Sequence, residues 1–206
     1  AAVSGRAARE VGLVLLTVLV GQALLGWDND LVDESADRAA GRADKPLAAG
    51  TLDRGTLTFA LACAVLLVVP LSLSSGITAG LAYLLSLLVA LLGNRWLRNG
   101  LLSWLPWAVA FALYPAYLSY GGWGGGAKGH PPTVAMTVAV AVLGVGVHVL
   151  TSLPGLVDDN EAGRRHLPLR LALRVGAPRL LAVTIACCVV VGVAVAVVGS
   201  TVGLSQ

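Results

Sequence analysis

Charge is what this chain has least of. Only 12% of its 206 residues are Asp, Glu, Lys or Arg, about half the share that a soluble domain carries. Cysteine is scarce too. Cys63, Cys187 and Cys188 are the only three, all within apolar runs, without metal-ligand spacing or a disulfide framework. They are expected to be small buried hydrophobes. Histidine is equally rare, and no Ser-His-Asp or Cys-His set stands out, so an activated nucleophile is not expected. The stretch 121-GGWGGGAKGHPP-132 is rich in glycine but lacks the strand and helix that flank a phosphate-binding loop. It reads as a flexible connector. Nucleic acid is not an expected partner.

Apolar residues make up 57% of the chain, and its mean hydropathy is +0.83. Runs near 20 residues recur along its length, the signature of membrane helices. Six spans are read at 11–27, 57–74, 77–93, 101–120, 133–152 and 179–199. The expected fold is all-α, a polytopic transmembrane bundle in a single domain over 1–206. The run 11–27 has no basic leader and small-residue cleavage site in the usual order, so it is not read as a signal peptide. The chain begins without Met, which leaves a processed or truncated start open.

Six spans sort the polar segments onto two sides. Of the 14 basic residues, Arg6, Arg9 and Lys128 alone fall on the side of the N-terminus. The bias toward the other side makes that side cytoplasmic, in a plasma membrane crossed several times. The acids follow, with Glu10 the one exception among 11. Positive charge sets topology but gives no reason for acids to gather there. Two acidic clusters, 28–37 and 158–161, thus share one side, where they can face each other.

The first cluster reads 28-DNDLVDESADRAAGRADKPLAAG-50. If the first span continues as a helix, Asp30, Asp33 and Asp37 share a face at i, i+3 and i+7. Like charges so placed repel by a few tenths of a kcal/mol per pair, so a cation should offset them. Oxygen donors without nearby His or Cys suit Mg²⁺, which favours one or two carboxylates plus substrate phosphates. Arg38, Arg42 and Lys45 come directly after. Carboxylates beside basic groups suit a Mg²⁺-diphosphate, which takes metal on one side and direct charge pairing on the other. The bland alternative is a solvated loop with i, i+4 ion pairs. The Asn-Asp-x-x-Asp register argues against it, as does the second cluster, 151-TSLPGLVDDNEAGRRHLPLRLALRVG-176, which repeats the order of span, acids and bases.

At these residues the sequence resembles the UbiA superfamily of membrane prenyltransferases. The segment 29-NDLVDESAD-37 matches the family's N-D-x-x-D-x-x-x-D motif, and 38-RAAGRADKPLAAG-50 is similar to the family's basic continuation of that motif. The segments 153-LPGLVDDNEAGRRHLP-168 and 94-NRWLRNGLLSWLP-106 are similar to the second motif region and to a basic loop. The resemblance implies that the two Asp-rich segments are cytoplasmic helix extensions around a central cavity. By it, Asn29, Asp33 and Asp37 bind Mg²⁺ with Asp30 beside them, and Asp159 with Asp158 faces them. Arg38, Arg42, Lys45, Arg98 and Arg164 then meet the diphosphate, and Asp33, Asp37 and Asp159 are the catalytic set.

The implied reaction ionises a polyprenyl diphosphate and captures the allylic cation on an aromatic, quinone-like or other lipophilic acceptor. Cyclisation of the donor, a phosphoribosyl diphosphate donor, and an inactive isoprenoid-binding relative stay open. Three departures stand out. Gly155 occupies the place of the second motif's leading Asp, and Gly93 that of a frequent Tyr. Six spans are read where the family usually has about nine, which leaves a fragment, a short natural variant or a degenerate paralogue open. Helices so missing would leave the pocket open to lipid or be supplied by another copy, so an oligomer is possible.

Inside the spans, His148 is polar where polarity is functional by default, and it is placed in the cavity near the acceptor. Trp104, Trp107, Tyr114, Tyr117, Tyr120 and Trp123 read as an interfacial belt, with Tyr114 or Tyr117 instead touching a substrate cation. Pro106 and Pro115 are expected to kink the fourth span. His130 and His166 read as loop residues without a role.

Overall fold

The computed structural model describes residues 8–121 and 131–201. Most of the glycine-rich connector lies outside them, with Trp123, Lys128 and His130. The described residues are helical and contain no strand. The elements are α1 (Ala8–Ala39), α2 (Arg54–Leu73), α3 (Ile77–Trp96), α4 (Trp104–Tyr120), α5 (Val134–Ser152), α6 (Leu156–Glu161), α7 (Leu167–Val175) and α8 (Ala177–Thr201). A 3₁₀ turn, Leu153–Gly155, joins α5 to α6.

Helix α1 is the longest, at 32 residues. It extends about 48 Å at 1.5 Å per residue, beyond the ~30 Å hydrocarbon core. The acidic motif is therefore the helical continuation of a span, standing clear of its apolar part. The chain turns at Gly41, whose φ of 67° suits glycine. Asp53 then caps α2, accepting the Thr56 N–H at 2.9 Å.

Five helices among the described residues are long and apolar enough to cross a membrane. The expected span 101–120 is the exception. Its first residues form turns, and α4 has 17 residues, about 26 Å. It is nonetheless uncharged, and it packs between α3 and α5. Around the bundle α2 and α3 flank α1, α4 follows α3, α5 follows α4, and α8 lies on the outside of α5. No extensive packing joins α1 to α5 among the described residues, so α1, α3, α4 and α5 wall a cleft rather than a closed ring.

Small residues bring the walls together, as is usual where helix and lipid are equally apolar. A Cβ on Gly21 would sit 2.0 Å from Tyr83 Oη, and one on Gly93 would sit 2.2 Å from Pro106 Cβ. Gly93, where the resemblance leads one to expect Tyr, thus lets α3 and α4 approach. At Gly144 a Cβ would come within 2.6 Å of both the Trp107 carbonyl oxygen and Phe111 Cγ. Gly144→Ala must push α5 off α4, and a loss of roughly 1–3 kcal/mol is expected from such overpacking. Thermal unfolding in detergent checks it. Gly192→Ala, which meets nothing within 4 Å, is the control and should leave the midpoint in place.

The cysteines are not core residues. Cys63 and Cys187 face outward from α2 and α8, and Cys188 is half-buried. Both helices lie at the outside of the bundle, where the surface is as apolar as the interior. The aromatic residues of α4 mostly face inward. Tyr117 is buried at 1% exposure and packs on Tyr83, with ring centroids 4.9 Å apart. Tyr120 is half-buried at the edge of the same cluster.

Candidate active site

The three polar segments meet at one end of the bundle. There α1, α3, α4 and α5 enclose a cavity of about 640 Å³ that continues between the apolar helices. Helix α1 contributes Gln22, Asn29, Asp33 and Asp37, successive members spaced by seven, four and four residues so that one face lines the wall. Helix α4 contributes Trp107, Phe111 and Tyr114, spaced by four and three residues on one face. Arg42, Lys45, Arg98 and Arg164 rim the polar end together with Asp158 and Asp159.

The acidic clusters face each other across basic side chains. Arg164 Nη1 donates to Asp159 at 2.8 Å, and its Nη2 lies 4.0 Å from Asp33. Asp33 also pairs with Arg98. Lys45 pairs with Asp30 and lies 4.0 Å from Asp37. Arg42 grips Asp44 through two nitrogens, at 2.9 and 3.0 Å, and reaches Asp158 at 3.5 Å. That grip holds the Asp44 carboxyl down at about 2 and raises the Arg42 guanidinium further.

Two carboxyls respond in opposite senses. Burial pushes Asp37 up, and the charges of Asp33 and Asp30 add to this against the nearby Lys45. Burial also acts to raise Asp159. The hydrogen bond with His166 and the charge of Arg164 outweigh it and leave Asp159 below the usual carboxylate range. Arg98 is the residue with something left over. One of its nitrogens holds Asp33, while Nη1 is buried without a partner.

Among the residues expected at the site, Asn29, Asp33, Asp37, Asp158, Asp159, Arg42, Lys45, Arg98, Arg164, His148 and Tyr114 line the cavity. Asp30, Arg38 and Tyr117 do not. Asp30 turns to Lys45, Arg38 pairs with Glu34 at 2.9 Å in exposed surroundings, and Tyr117 is sealed in the core. Helical rotation explains the first two, since the lining face leaves Asp30 and Arg38 to its flanks. No three His, Cys, Asp or Glu side chains among the described residues converge into a ready metal cage.

Several residues of the site carry little signal in the sequence. Asp28 is 2% exposed and takes two hydrogen bonds from Arg95, one of 3.0 Å from Nη1, and one of 3.2 Å from Asn94 Nδ2. This lock on α3 fixes the rotation of α1 just before Asn29. An acid at the inner edge of a span needs a partner, but its identity depends on how α3 packs. Gln22 donates to Tyr114 Oη at 3.1 Å; a glutamine within a span was the available signal. His166, expected to be bland, is buried with Nε2 2.8 Å from Asp159. Ser103 Oγ lies 3.0 Å from His148 Nε2, whose ring stacks on Trp107.

A polar end with paired carboxylates and bases, leading into an aromatic cleft between apolar helices, agrees with the comparison to known proteins. The model of the UbiA prenyltransferase family matches residues 1–205. The chain belongs to that family. No curated protein and no solved structure matched. Membership in the UbiA family, with five apolar helices, supports a multi-pass membrane prenyltransferase. Gly155 stands where the family's second motif has its leading Asp. Its φ of −95° and ψ of 6° are open to any residue, and a Cβ there meets only Asp159 Oδ2, at 3.8 Å. An aspartate would fit beside Asp159, which here depends on His166 and Arg164 instead.

Proposed function

We propose that this chain transfers an isoprenyl group from a polyprenyl diphosphate to an aromatic, quinone-like or other lipophilic acceptor, with Mg²⁺. The observation that carries the reading is the buried, unpartnered Arg98 Nη1. It lies on a cavity whose polar wall holds carboxylates and bases and whose depth is aromatic. An anionic group entering there would satisfy it, and an isoprenyl tail would lie among Trp107, Phe111 and Tyr114.

The donors of Asn29, Asp33 and Asp37 are all oxygens, which fits Mg²⁺. No ready cage is needed, because that ion keeps waters and shares substrate phosphates. Bound there, Mg²⁺ would supply positive charge opposite the leaving diphosphate. Arg98, Arg164, Arg42 and Lys45 would bind the diphosphate, exchanging their present carboxylate partners for it. The allylic C–O bond breaks with its electron pair going to the diphosphate oxygen. A new bond then forms from the acceptor, which loses a proton. The aromatic faces of α4 favour a cation beside them, and the apolar walls keep water from it. His148, on Trp107, is placed to orient the acceptor. On this reading the protein sits in the plasma membrane with its polar end toward the cytoplasm, the side that the basic bias of these segments supports.

The test is Mg²⁺-dependent diphosphate release from farnesyl or geranylgeranyl diphosphate by purified protein, with a panel of acceptors and product analysis by mass spectrometry. Release that requires both Mg²⁺ and an acceptor is expected. Acceptor-independent release with a hydrocarbon product would instead mean cyclisation. Gly155 favours one second reading, an isoprenoid-binding relative without activity. Silence of the wild type with activity in Gly155→Asp would select it.

A further inference from the structure

Helix α7 and the first turn of α8 carry four arginines that this chemistry does not use. Arg165, Arg170, Arg174 and Arg179 are all exposed. No Asp or Glu follows Glu161 in the chain, and none of the four is ion-paired among the described residues. Arg170 and Arg174 are one turn apart on α7 and so project together. The same helix buries Pro168 and Leu169 against the bundle, but leaves Leu173 69% and Val175 47% exposed. Arg179 stands in the first turn of α8, where the helix dipole disfavours a cation. Something outside the chain should offset that charge.

Exposed leucine and valine flanking arginines, at the level where membrane helices end, describe a helix lying in the plane of the bilayer interface. We infer that α7 with the start of α8 binds anionic phospholipid headgroups of the adjoining leaflet. The arginines take the phosphates, and Leu173 and Val175 sit among the upper acyl chains. Charge complementarity selects this occupant, because juxtamembrane arginines are attracted to anionic lipid surfaces.

The surface is tied to the cavity through the start of α7. His166 caps the helix, its Nδ1 accepting the Leu169 N–H at 3.3 Å, while its Nε2 holds Asp159 at 2.8 Å. The Leu167 N–H donates to Ser103 Oγ at 3.3 Å, the atom that meets His148. Lipid that steadies α7 therefore steadies Asp159 and His148.

The full chain in detergent would be titrated with phosphatidylglycerol, phosphatidylcholine or inorganic phosphate. Unfolding temperature would be followed, with retained lipid read by native mass spectrometry. Wild type should retain phosphatidylglycerol preferentially and be stabilised by it alone. Arg170→Gln/Arg174→Gln should weaken that preference roughly tenfold or more, whereas Arg170→Lys/Arg174→Lys should keep most of it. Equal retention of both lipids by wild type would overturn the proposal, as would an unchanged preference in the Gln variant or equal stabilisation by phosphate. The readout needs no turnover, so it stands apart from the transferase reading.

Discussion

Asp33→Asn is expected to lower prenyl transfer by roughly 10²–10³, the scale of losing one preorganised electrostatic partner at a reacting group. Asp33 pairs with Arg98 and lies 4.0 Å from Arg164, so it orders the two guanidinium groups that reach from different segments into the cavity. It is also a proposed Mg²⁺ ligand. The fold should survive, because the side chain stands at the wet end of α1 with 16% of its surface exposed. Asp30→Asn is the matched comparison. That residue belongs to the same acidic helix but faces Lys45 outside the cavity, and its loss should cost less than about tenfold. Diphosphate release under saturating Mg²⁺ measures both. Equal losses would mean that the acidic face acts as a bulk field, and the assignment of Asp33 would fall.

Arg95→Ala should be the most destabilising single change at the polar end. It strands the Asp28 carboxylate, 2% exposed, with only the Asn94 amide at 3.2 Å. Removing one partner of a fully buried pair costs roughly 3–5 kcal/mol, whereas replacing both by apolar residues is often close to neutral. Arg95 is 46% exposed, so water reaches this pair and the loss should fall below that range. The Asp28→Leu/Arg95→Leu variant should therefore unfold at a higher temperature than Arg95→Ala. A double variant as unstable as the sum of its singles would show that the two charges are not coupled. The contrast matters for function because Asp28 immediately precedes Asn29. Losing the lock frees α1 to rotate, so Arg95→Ala should also lower transfer in whatever fraction stays folded.

What could be read from the sequence alone was whatever depends on neighbours along the chain. Apolar runs near 20 residues made the spans, because a bilayer admits only backbone that satisfies its own hydrogen bonds. The spacing of Asp30, Asp33 and Asp37 was read as one helical face, and α1 does stay helical through Ala39. Asp33 and Asp37 line the cavity, while Asp30 turns to its flank and Lys45. The sorting of acids and bases onto one side came from counting spans, and those segments do meet at one end of the bundle.

Rotation and partnership were decided only by the tertiary structure. In a soluble helix the apolar stripe marks the buried face. In these helices lipid and protein interior are equally apolar, so no stripe says which side is inside. That is why Cys63 and Cys187 face outward and why Trp107 and Tyr114 line the cavity instead of forming a belt. The same holds for the charges. Whether Lys45 meets Asp30, or Arg95 meets Asp28, depends on how the loops return and how α3 turns against α1. Gly21 sets that approach through the side chain it does not have, since a Cβ there would sit 2.0 Å from Tyr83 Oη on α3.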